Sequence, residues 1–337
     1  MSEQSKIYSI HFLRLFAAVG VLMSHSVASI FNNNTGAAGV DIFFVISGIV
    51  IGTTLKSDSP ARQFTIKRLI RILPLYWLAT LAMIVAKYYS WRVWPSLREL
   101  VHSALLLPEF GTRWQFIYFP AWTLAYEMLF YLTAAGLLAL FKRHARATLL
   151  LVFAVLSATI INVPGDPQYS RLGTDMFFEF CAGLVLSEVM ATRLVVPPKL
   201  GFVCIAVAIF MLFHNEGFLG VRPITWGIPA VILIVGMFAF EDAAWLRSKW
   251  SVVGGDASYS IYLTHLTVFL FIDSFGIRNE LPFAQHQLVV AVFKVILALI
   301  VGVAVHLVIE KPMLRFLRRT LIPATLAMPL RISADRV

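Results

Sequence analysis

The sequence has 337 residues, of which 59% are hydrophobic and only 14% are charged, and its mean hydropathy is +0.80. Soluble globular proteins carry about 25% charged residues, so this composition excludes an ordinary soluble domain and indicates a polytopic membrane protein. The net charge of +10 does not indicate nucleic-acid binding, because the Lys and Arg residues cluster on one side of the predicted membrane.

Apolar segments of membrane-spanning length recur along the whole chain, since a hydrocarbon core of about 30 Å needs about 20 apolar residues. We predict an all-α bundle of ten spans, at about residues 9–29, 37–55, 73–90, 119–140, 147–163, 172–190, 200–214, 222–240, 257–274 and 286–309. If the amino terminus lies inside, nineteen of the 28 Lys and Arg residues fall on the cytoplasmic side and seven on the other. The positive-inside rule therefore favours two cytoplasmic termini and a multi-pass protein of the bacterial inner membrane.

The spans fill almost the whole sequence, which predicts one integral-membrane domain over residues 1–337 without an appended soluble domain. Its core covers about residues 7–320, and residues 321–337 form a basic cytoplasmic tail. The amino terminus lacks the features of a cleaved signal peptide, so the first span is expected to remain. Cys181 and Cys204 lie in apolar spans, where we expect neither a disulfide nor a metal site.

Two ionisable side chains lie in the first span, where their burial in lipid is costly. Arg14 and His25 are eleven residues apart, which at helical pitch is three turns plus about 20° and a rise of roughly 16 Å. They therefore share one helix face, Arg14 in the inner half and His25 near the outer end. Because such residues usually line a polar cavity or an ion pathway, this stripe is the candidate active site.

Three carboxylates are predicted at membrane depth. Asp41 lies at the depth of His25 and either pairs with its imidazole, caps its own helix or meets lipid headgroups. Glu127 lies about eight residues below the outer surface, so it either pairs with a basic group of the first span or is protonated. Glu179, in the sixth span, is a candidate lining residue of the same cavity.

A basic amphipathic segment precedes the third span. Arg68 and Arg71 are three residues apart and therefore neighbours on a helix surface. Two planar guanidinium groups in this arrangement can clamp phosphates. The alternative is an interfacial helix whose basic face contacts anionic lipid, and the spacing alone favours that alternative.

The ninth span carries a polar stripe. Ser258, Tyr262 and His265 fall on one helix face at spacings of three to four residues. A lone buried histidine is usually a hydrogen-bonded structural residue, but here two other polar residues share its helix face. Ser258 and His265 are therefore candidate cavity-lining residues.

Five motifs in chain order resemble those of acyltransferase family 3, a family of bacterial membrane acyltransferases. They are Arg14 with His25, the segment 39–48, Arg68 with Arg71, the segment 122–131 around Glu127, and the segment 258–265. The resemblance implies ten core spans and transfer of an acyl group, often acetyl, from cytoplasmic acyl-CoA to a hydroxyl of an extracytoplasmic glycan. In that family the histidine matching His25 is assigned to catalysis and the arginine matching Arg14 to donor handling. Some members append an outer hydrolase-like domain, for which this sequence has no room.

The resemblance and the residue pattern together give a hypothesis for the donor. Acyl-CoA is too charged to cross the membrane, so its phosphates stay near Arg68 and Arg71 while the pantetheine arm extends toward His25. Arg14 and Tyr262 complete the donor site. The hypothesis needs no metal and no tightly bound cofactor, because acyl-CoA acts as a co-substrate.

On the acceptor side, His25 acts as general base, with either Asp41 or Glu127 holding its tautomer. A two-step route through an acyl-imidazole is the alternative. The acceptor stays open among lipopolysaccharide, exopolysaccharide, secreted oligosaccharide and peptidoglycan, as do the acyl chain length and the oligomeric state.

Two other functions compete with acyl transfer. A proton-coupled secondary transporter would use the buried ionisable residues as a proton relay, but the two halves of the sequence lack its usual paired, interrupted spans. A non-catalytic membrane assembly factor would leave the buried charges without a role.

Overall fold

The computed structural model describes residues 7–27, 30, 34–55, 60–107, 116–141, 144–158, 175–192, 195–214, 222–274 and 285–322. These residues are mostly helical and include no strand. Five of their helices are long and apolar enough to cross a membrane. The prediction of an all-helical membrane protein is therefore confirmed, whereas the predicted tail from residue 323 onward lies outside the described residues.

The described helices are named here in chain order. They are α1 (Tyr8–Ser26), α2 (Ala38–Leu55), α3 (Ala61–Trp91), α4 (Leu97–Leu105), α5 (Ala121–Phe141), α6 (Ala145–Ala158), α7 (Asp175–Ala191), α8 (Pro198–His214), α9 (Ile228–Phe238), α10 (Lys249–Ser274), α11 (Gln287–Val305) and α12 (Lys311–Leu321). A 3₁₀ turn (Thr35–Ala37) precedes α2, and π-helical turns precede α9 (Pro223–Gly227) and α12 (His306–Glu310).

The largest difference from the predicted spans is at α3, which begins at Ala61 rather than near residue 73. The segment with Arg68 and Arg71 is thus the first half of one 31-residue helix, and Pro74 lies inside it. The charged residues suggested a span boundary because isolated charges are costly in lipid. In the fold these two arginines have partners, so the helix continues through them.

A short helix that the sequence analysis missed follows α3. Helix α4 begins with a capping box, in which the Ser96 hydroxyl accepts from the Glu99 backbone N–H and the Glu99 carboxylate accepts from the Ser96 N–H. The backbone N–H and the hydroxyl of Ser96 both donate to the Glu99 carboxylate and hold the pKa of Glu99 below its ordinary value. Tyr76 on α3 anchors the helix by donating to the Ser103 carbonyl at 2.7 Å.

Small residues bring α2 and α7 into close, parallel contact. A Cβ added at Gly48 would lie 2.3 Å from the Phe180 carbonyl oxygen, and one added at Gly52 would lie 2.0 Å from the Ser187 hydroxyl. Because Gly48 and Gly52 are one turn apart, this is the small-xxx-small packing that membrane helices use for close approach.

Helix α1 packs against α10, α2 and α11. At one end a Cβ on Gly255 of α10 would lie 2.3 Å from the His11 carbonyl oxygen, and at the other end His25 contacts His265 of α10. The two helices are therefore parallel. The Ser26 hydroxyl donates to the carbonyl of Ala291 on α11 at 3.0 Å. This packing places Arg14 against the cavity inside the bundle, whereas His25 lies exposed near the carboxyl end of α1.

Candidate active site

A cavity of about 120 Å³ lies among α1, α2, α3, α5 and α10. It brings together five residues that the sequence singled out, and they come from four different helices. These are Arg14, Arg68, Arg71, Glu127 and Tyr262. The side chains of Ser47, Tyr131 and Tyr259 complete its polar wall.

A buried carboxylate holds Arg71. The Arg71 guanidinium donates to Oε1 of Glu310, which has no exposed surface. The other oxygen, Oε2, contacts Nδ1 of His306 at 2.7 Å and accepts from the Ser260 hydroxyl at 2.6 Å. Glu310 therefore fixes the direction of Arg71, and the sequence analysis did not assign it a role.

Arg68 is held mainly by aromatic faces. Its Nη2 donates to the Thr54 hydroxyl at 3.0 Å, and its guanidinium carbon lies 5.4 Å and 5.3 Å from the ring centres of Phe64 and Tyr131. A guanidinium on an aromatic face is stabilised while its in-plane donors stay available. Arg68 is thus oriented without being fully bonded.

Arg14 differs from both. Within the described part of the chain its guanidinium donates no hydrogen bond, although it lines the cavity and its charge acts on those of Arg71 and Glu127. A guanidinium has five N–H donors, and leaving them unused is costly. Arg14 therefore presents donors to whatever occupies the cavity.

More positive charge lies at the α12 end of the cavity. Helix α12 packs against α3, and the charge of Arg318 acts on those of Arg68 and Arg71. Lys67 adds another cation near Arg318. This end of the cavity is suited to a multiply charged anion.

Glu127 is bonded within the cavity wall. Its carboxylate accepts from the Ser47 hydroxyl at 3.1 Å and from the Tyr131 hydroxyl. The sequence predicted a basic partner from the first span or a protonated carboxyl; the hydrogen-bond partners here are two hydroxyls, and the Glu127 charge acts on that of Arg14. Glu127 was also expected to hold the tautomer of His25. The contacts of Glu127 direct its carboxylate into the cavity, and His25 contacts His265 instead.

Asp41 also has a partner other than His25. Its two oxygens accept from Nε and Nη2 of Arg222 at 3.0 and 2.8 Å, and Arg222 contacts the rings of Trp122 and Trp226. Asp41 was expected beside His25 because both lie near the outer end of their helices. Equal depth does not make two side chains face each other, and here Asp41 faces Arg222.

Two more predicted lining residues lie outside the cavity wall. Glu179 is fully buried, its carboxylate accepts no hydrogen bond from any residue that the structure describes, and it lies in electrostatic contact with Asp41 and Arg222. Ser258 is buried too and donates to the Gly255 carbonyl of its own helix at 2.8 Å.

His25 is paired with another histidine. Nδ1 of His25 lies 3.2 Å from Nε2 of His265 and 3.0 Å from the Val21 carbonyl oxygen. The exposed ring of Phe119 lies edge-on to His25, with 6.4 Å between ring centres. Tyr262 joins this pair to the cavity, since its side chain lines the cavity and its carbonyl contacts Nδ1 of His265 at 2.6 Å.

The structure thus contains an open arginine cavity and, next to it, a hydrogen-bonded imidazole. Comparison with protein families adds the deciding observation: the family model described as "Acyltransferase domain" matches residues 7–307. This chain belongs to acyltransferase family 3. It is accordingly an O-acyltransferase, as the sequence resemblance predicts.

Curated relatives agree with the family. "Exopolysaccharide production protein ExoZ" of Rhizobium meliloti is 32% identical over 308 residues, which cover 87% of this chain and 94% of that protein. "Putative peptidoglycan O-acetyltransferase YrhL" of Bacillus subtilis is 29% identical, and "O-acetyltransferase OatA" of Staphylococcus aureus is 26% identical. Those two matches cover 76% and 80% of this chain but only 47% and 52% of the relatives, so this chain spans about half their length. No solved structure matches the chain.

Proposed function

We propose that this protein transfers an acetyl group from cytoplasmic acetyl-CoA to a hydroxyl of a glycan on the other side of the bacterial inner membrane. The observation that carries the proposal is the cavity in which Arg14, Arg68 and Arg71 converge. The three guanidinium groups offer more hydrogen-bond donors than the surrounding carboxylates accept. Acyl-CoA supplies what they lack, because it combines phosphates with a thioester carbonyl.

The donor has a natural orientation in this cavity. Its phosphates bind at the α12 end, where Lys67 and Arg318 add to the charges of Arg68 and Arg71. A cavity of about 120 Å³ is too small for the nucleotide and suits the narrow pantetheine arm. Arg14, whose donors are unused, then lines the path of the donor toward His25, which lies farther along the same helix.

His25 is the proposed general base. The acceptor hydroxyl gives its proton to His25 while its oxygen attacks the thioester carbon. The C–S bond breaks, the proton passes from His25 to the leaving thiolate, and the products are the acetyl ester and free CoA. Such proton transfer typically contributes about 10²- to 10⁴-fold to the rate.

The ten-span topology with two cytoplasmic termini belongs to the same proposal. It makes the first and ninth spans parallel, and likewise the second and sixth. The parallel packing of α1 with α10 and of α2 with α7 supports this arrangement. It also puts Arg68 toward the cytoplasm and His25 toward the acceptor side.

A glycan acceptor is supported by the names of the relatives, which include exopolysaccharide production and peptidoglycan O-acetylation. The exposed ring of Phe119 next to His25 offers an aromatic face of the kind that suits a sugar ring.

Two measurements test the proposal. Mass spectrometry of surface glycans from cells with and without the protein should reveal an acetyl ester that depends on it. The purified protein in nanodiscs, given acetyl-CoA and the glycan so identified, should release free CoA in step with ester formation. Loss of the ester in cells without CoA release in nanodiscs would contradict direct transfer from the thioester.

A further inference from the structure

The hydrogen-bond partners of His265 fix the position of its proton. Nδ1 of His265 lies 2.6 Å from the Tyr262 carbonyl oxygen, and a carbonyl oxygen can only accept. Nδ1 therefore carries the hydrogen. Nε2 of neutral His265 then has a lone pair and acts as an acceptor.

The same accounting fixes the tautomer of His25. Its Nδ1 is next to two acceptors, Nε2 of His265 at 3.2 Å and the Val21 carbonyl at 3.0 Å. A hydrogen on Nδ1 satisfies both contacts, whereas a lone pair there would satisfy neither. Nε2 of neutral His25 is consequently the nitrogen with the free lone pair.

The surroundings keep His265 neutral. His265 has no exposed surface, and the rings of Tyr262 and Phe269 lie 5.8 and 5.7 Å from its ring centre. In the described residues neither imidazole bonds to a carboxylate. The ion pair of Lys294 and Asp273 lies beyond Phe269. A second cation in contact with His25 would be strongly unfavourable there, so the pair takes up one proton and His25 receives it.

We propose that His265 is the positioning residue of the active site, accepting from Nδ1–H of His25 so that Nε2 of His25 is the basic atom. The proposal rests on the assignment of His25 as general base under Proposed function. In this arrangement the neutral imidazole of His265 takes the place that a carboxylate has in a conventional histidine dyad. When Nε2 takes the acceptor proton, the bond from Nδ1–H to His265 becomes charge-assisted and stronger.

The Val21 carbonyl alone is a weaker orienting group. It is the i−4 carbonyl of His25 in α1 and so already accepts the helical backbone bond of that residue. His265, in contrast, is held firmly. Its partner, the Tyr262 carbonyl, also accepts from the Tyr118 hydroxyl at 3.1 Å, and the Tyr262 hydroxyl bonds to Thr123 at 2.8 Å.

Two substitutions separate positioning from packing. His265→Gln keeps a side-chain oxygen able to accept near the position of Nε2, whereas His265→Leu keeps bulk without an acceptor. We expect His265→Leu to lower kcat about 10- to 100-fold, the range for outer-shell partners of histidines, with the KM for acetyl-CoA within about twofold of wild type. His265→Gln should recover most of kcat.

A matched control is available on α8. Nδ1 of His214 contacts the Phe210 carbonyl at 3.0 Å in the same i−4 geometry as His25, and both histidines are exposed, but His214 lies away from the His25–His265 pair. His214→Gln should leave kcat unchanged. Equal activity of wild type and His265→Leu, or equal loss in the Gln and Leu variants, would overturn the proposal.

The tautomer can also be measured without turnover. ¹⁵N NMR of ¹⁵N-histidine-labelled protein in nanodiscs should show His25, assigned by comparison with His25→Gln, as the Nδ1–H tautomer in wild type. In His265→Leu the Nε2–H tautomer of His25 should be more populated than in wild type, because the Val21 carbonyl is the remaining acceptor, whereas His265→Gln should keep the wild-type ratio. An Nε2–H tautomer in wild type would refute the positioning role. Loss of activity in His25→Gln supports His25 as the general base whatever the His265 variants show. A failure of the positioning role of His265 can therefore be told from a failure of the proposed base.

Discussion

Two buried arginine clusters in this protein differ in how completely their charges are matched. Arg222 binds both oxygens of Asp41 and lies against two tryptophan rings. In the cavity, Arg71 donates to Glu310 and Arg68 donates to Thr54, so each guanidinium keeps other N–H donors unused. Arg14 donates no hydrogen bond to any described residue. Arg222 already directs two donors at a carboxylate, whereas the arginines of the cavity have donors to spare.

The difference indicates which cluster serves the fold and which serves binding. A bidentate pair already uses the strongest geometry that a guanidinium has. An arginine that the fold leaves without a partner raises the energy of the empty protein, and an anionic ligand recovers that energy. The four predictions that follow test this division.

The largest effect is expected for Arg222→Leu. This change leaves the buried carboxylates of Asp41 and Glu179 without their cation, and breaking a buried pair typically costs about 3–5 kcal/mol. Thermal unfolding in detergent should show the loss. Arg247→Leu is the matched control, because Arg247 pairs with the exposed Asp242 and such pairs contribute about 0–1 kcal/mol. Equal unfolding temperatures for the two variants would remove the distinction.

The second prediction concerns Arg14→Gln. The KM for acetyl-CoA should rise about 10- to 100-fold, which corresponds to the roughly 1.5–3 kcal/mol of a hydrogen bond from a charged group. Unfolding temperature should stay the same or increase, since the fold loses no hydrogen bond of its own. A destabilised protein with normal KM would place Arg14 among the structural residues.

A smaller effect is expected for Glu310→Gln. The amide can still accept from Arg71, so the guanidinium keeps its direction but loses a charged partner. We expect the KM for acetyl-CoA to change by about two- to tenfold, the equivalent of roughly 0.5–1.5 kcal/mol. Steady-state kinetics over a range of donor concentrations would measure this, and a change in kcat alone would argue against a donor role for the Glu310–Arg71 pair.

The smallest effect is expected for Ser258→Ala. Among the described residues the Ser258 hydroxyl bonds to a carbonyl of its own helix, and its side chain is not part of the cavity lining. Stability should fall by under about 1 kcal/mol, and kcat and KM should match wild type. A kinetic defect would show that the polar stripe of α10 reaches the substrate.

The sequence pattern grouped the residues of the arginine cavity better than the residues around His25. Arg68 and Arg71 share a helix face because of their spacing alone, and Arg14 shares a face with His25 for the same reason. Within one helix, residue spacing fixes direction. These residues therefore reach a common region as soon as their helices pack together.

Partners that come from distant helices could not be read in this way. Asp41 and His25 were paired on depth, but depth leaves open the direction in which each helix turns its residues. The partner of His25 is 240 residues away on α10, and no role was assigned to Arg222 from the sequence. Only the packing of α1 against α10 shows that His265 faces His25.

The account depends most on His25 as the base that joins a cytoplasmic donor to an outer acceptor. Inside-out membrane vesicles with radiolabelled acetyl-CoA added outside expose the donor site and enclose the glycan. Wild-type vesicles should transfer label to the enclosed glycan and release CoA, whereas His25→Ala vesicles with equal protein content should do so about 10²- to 10⁴-fold more slowly. Transfer by His25→Ala at the wild-type rate would contradict the account.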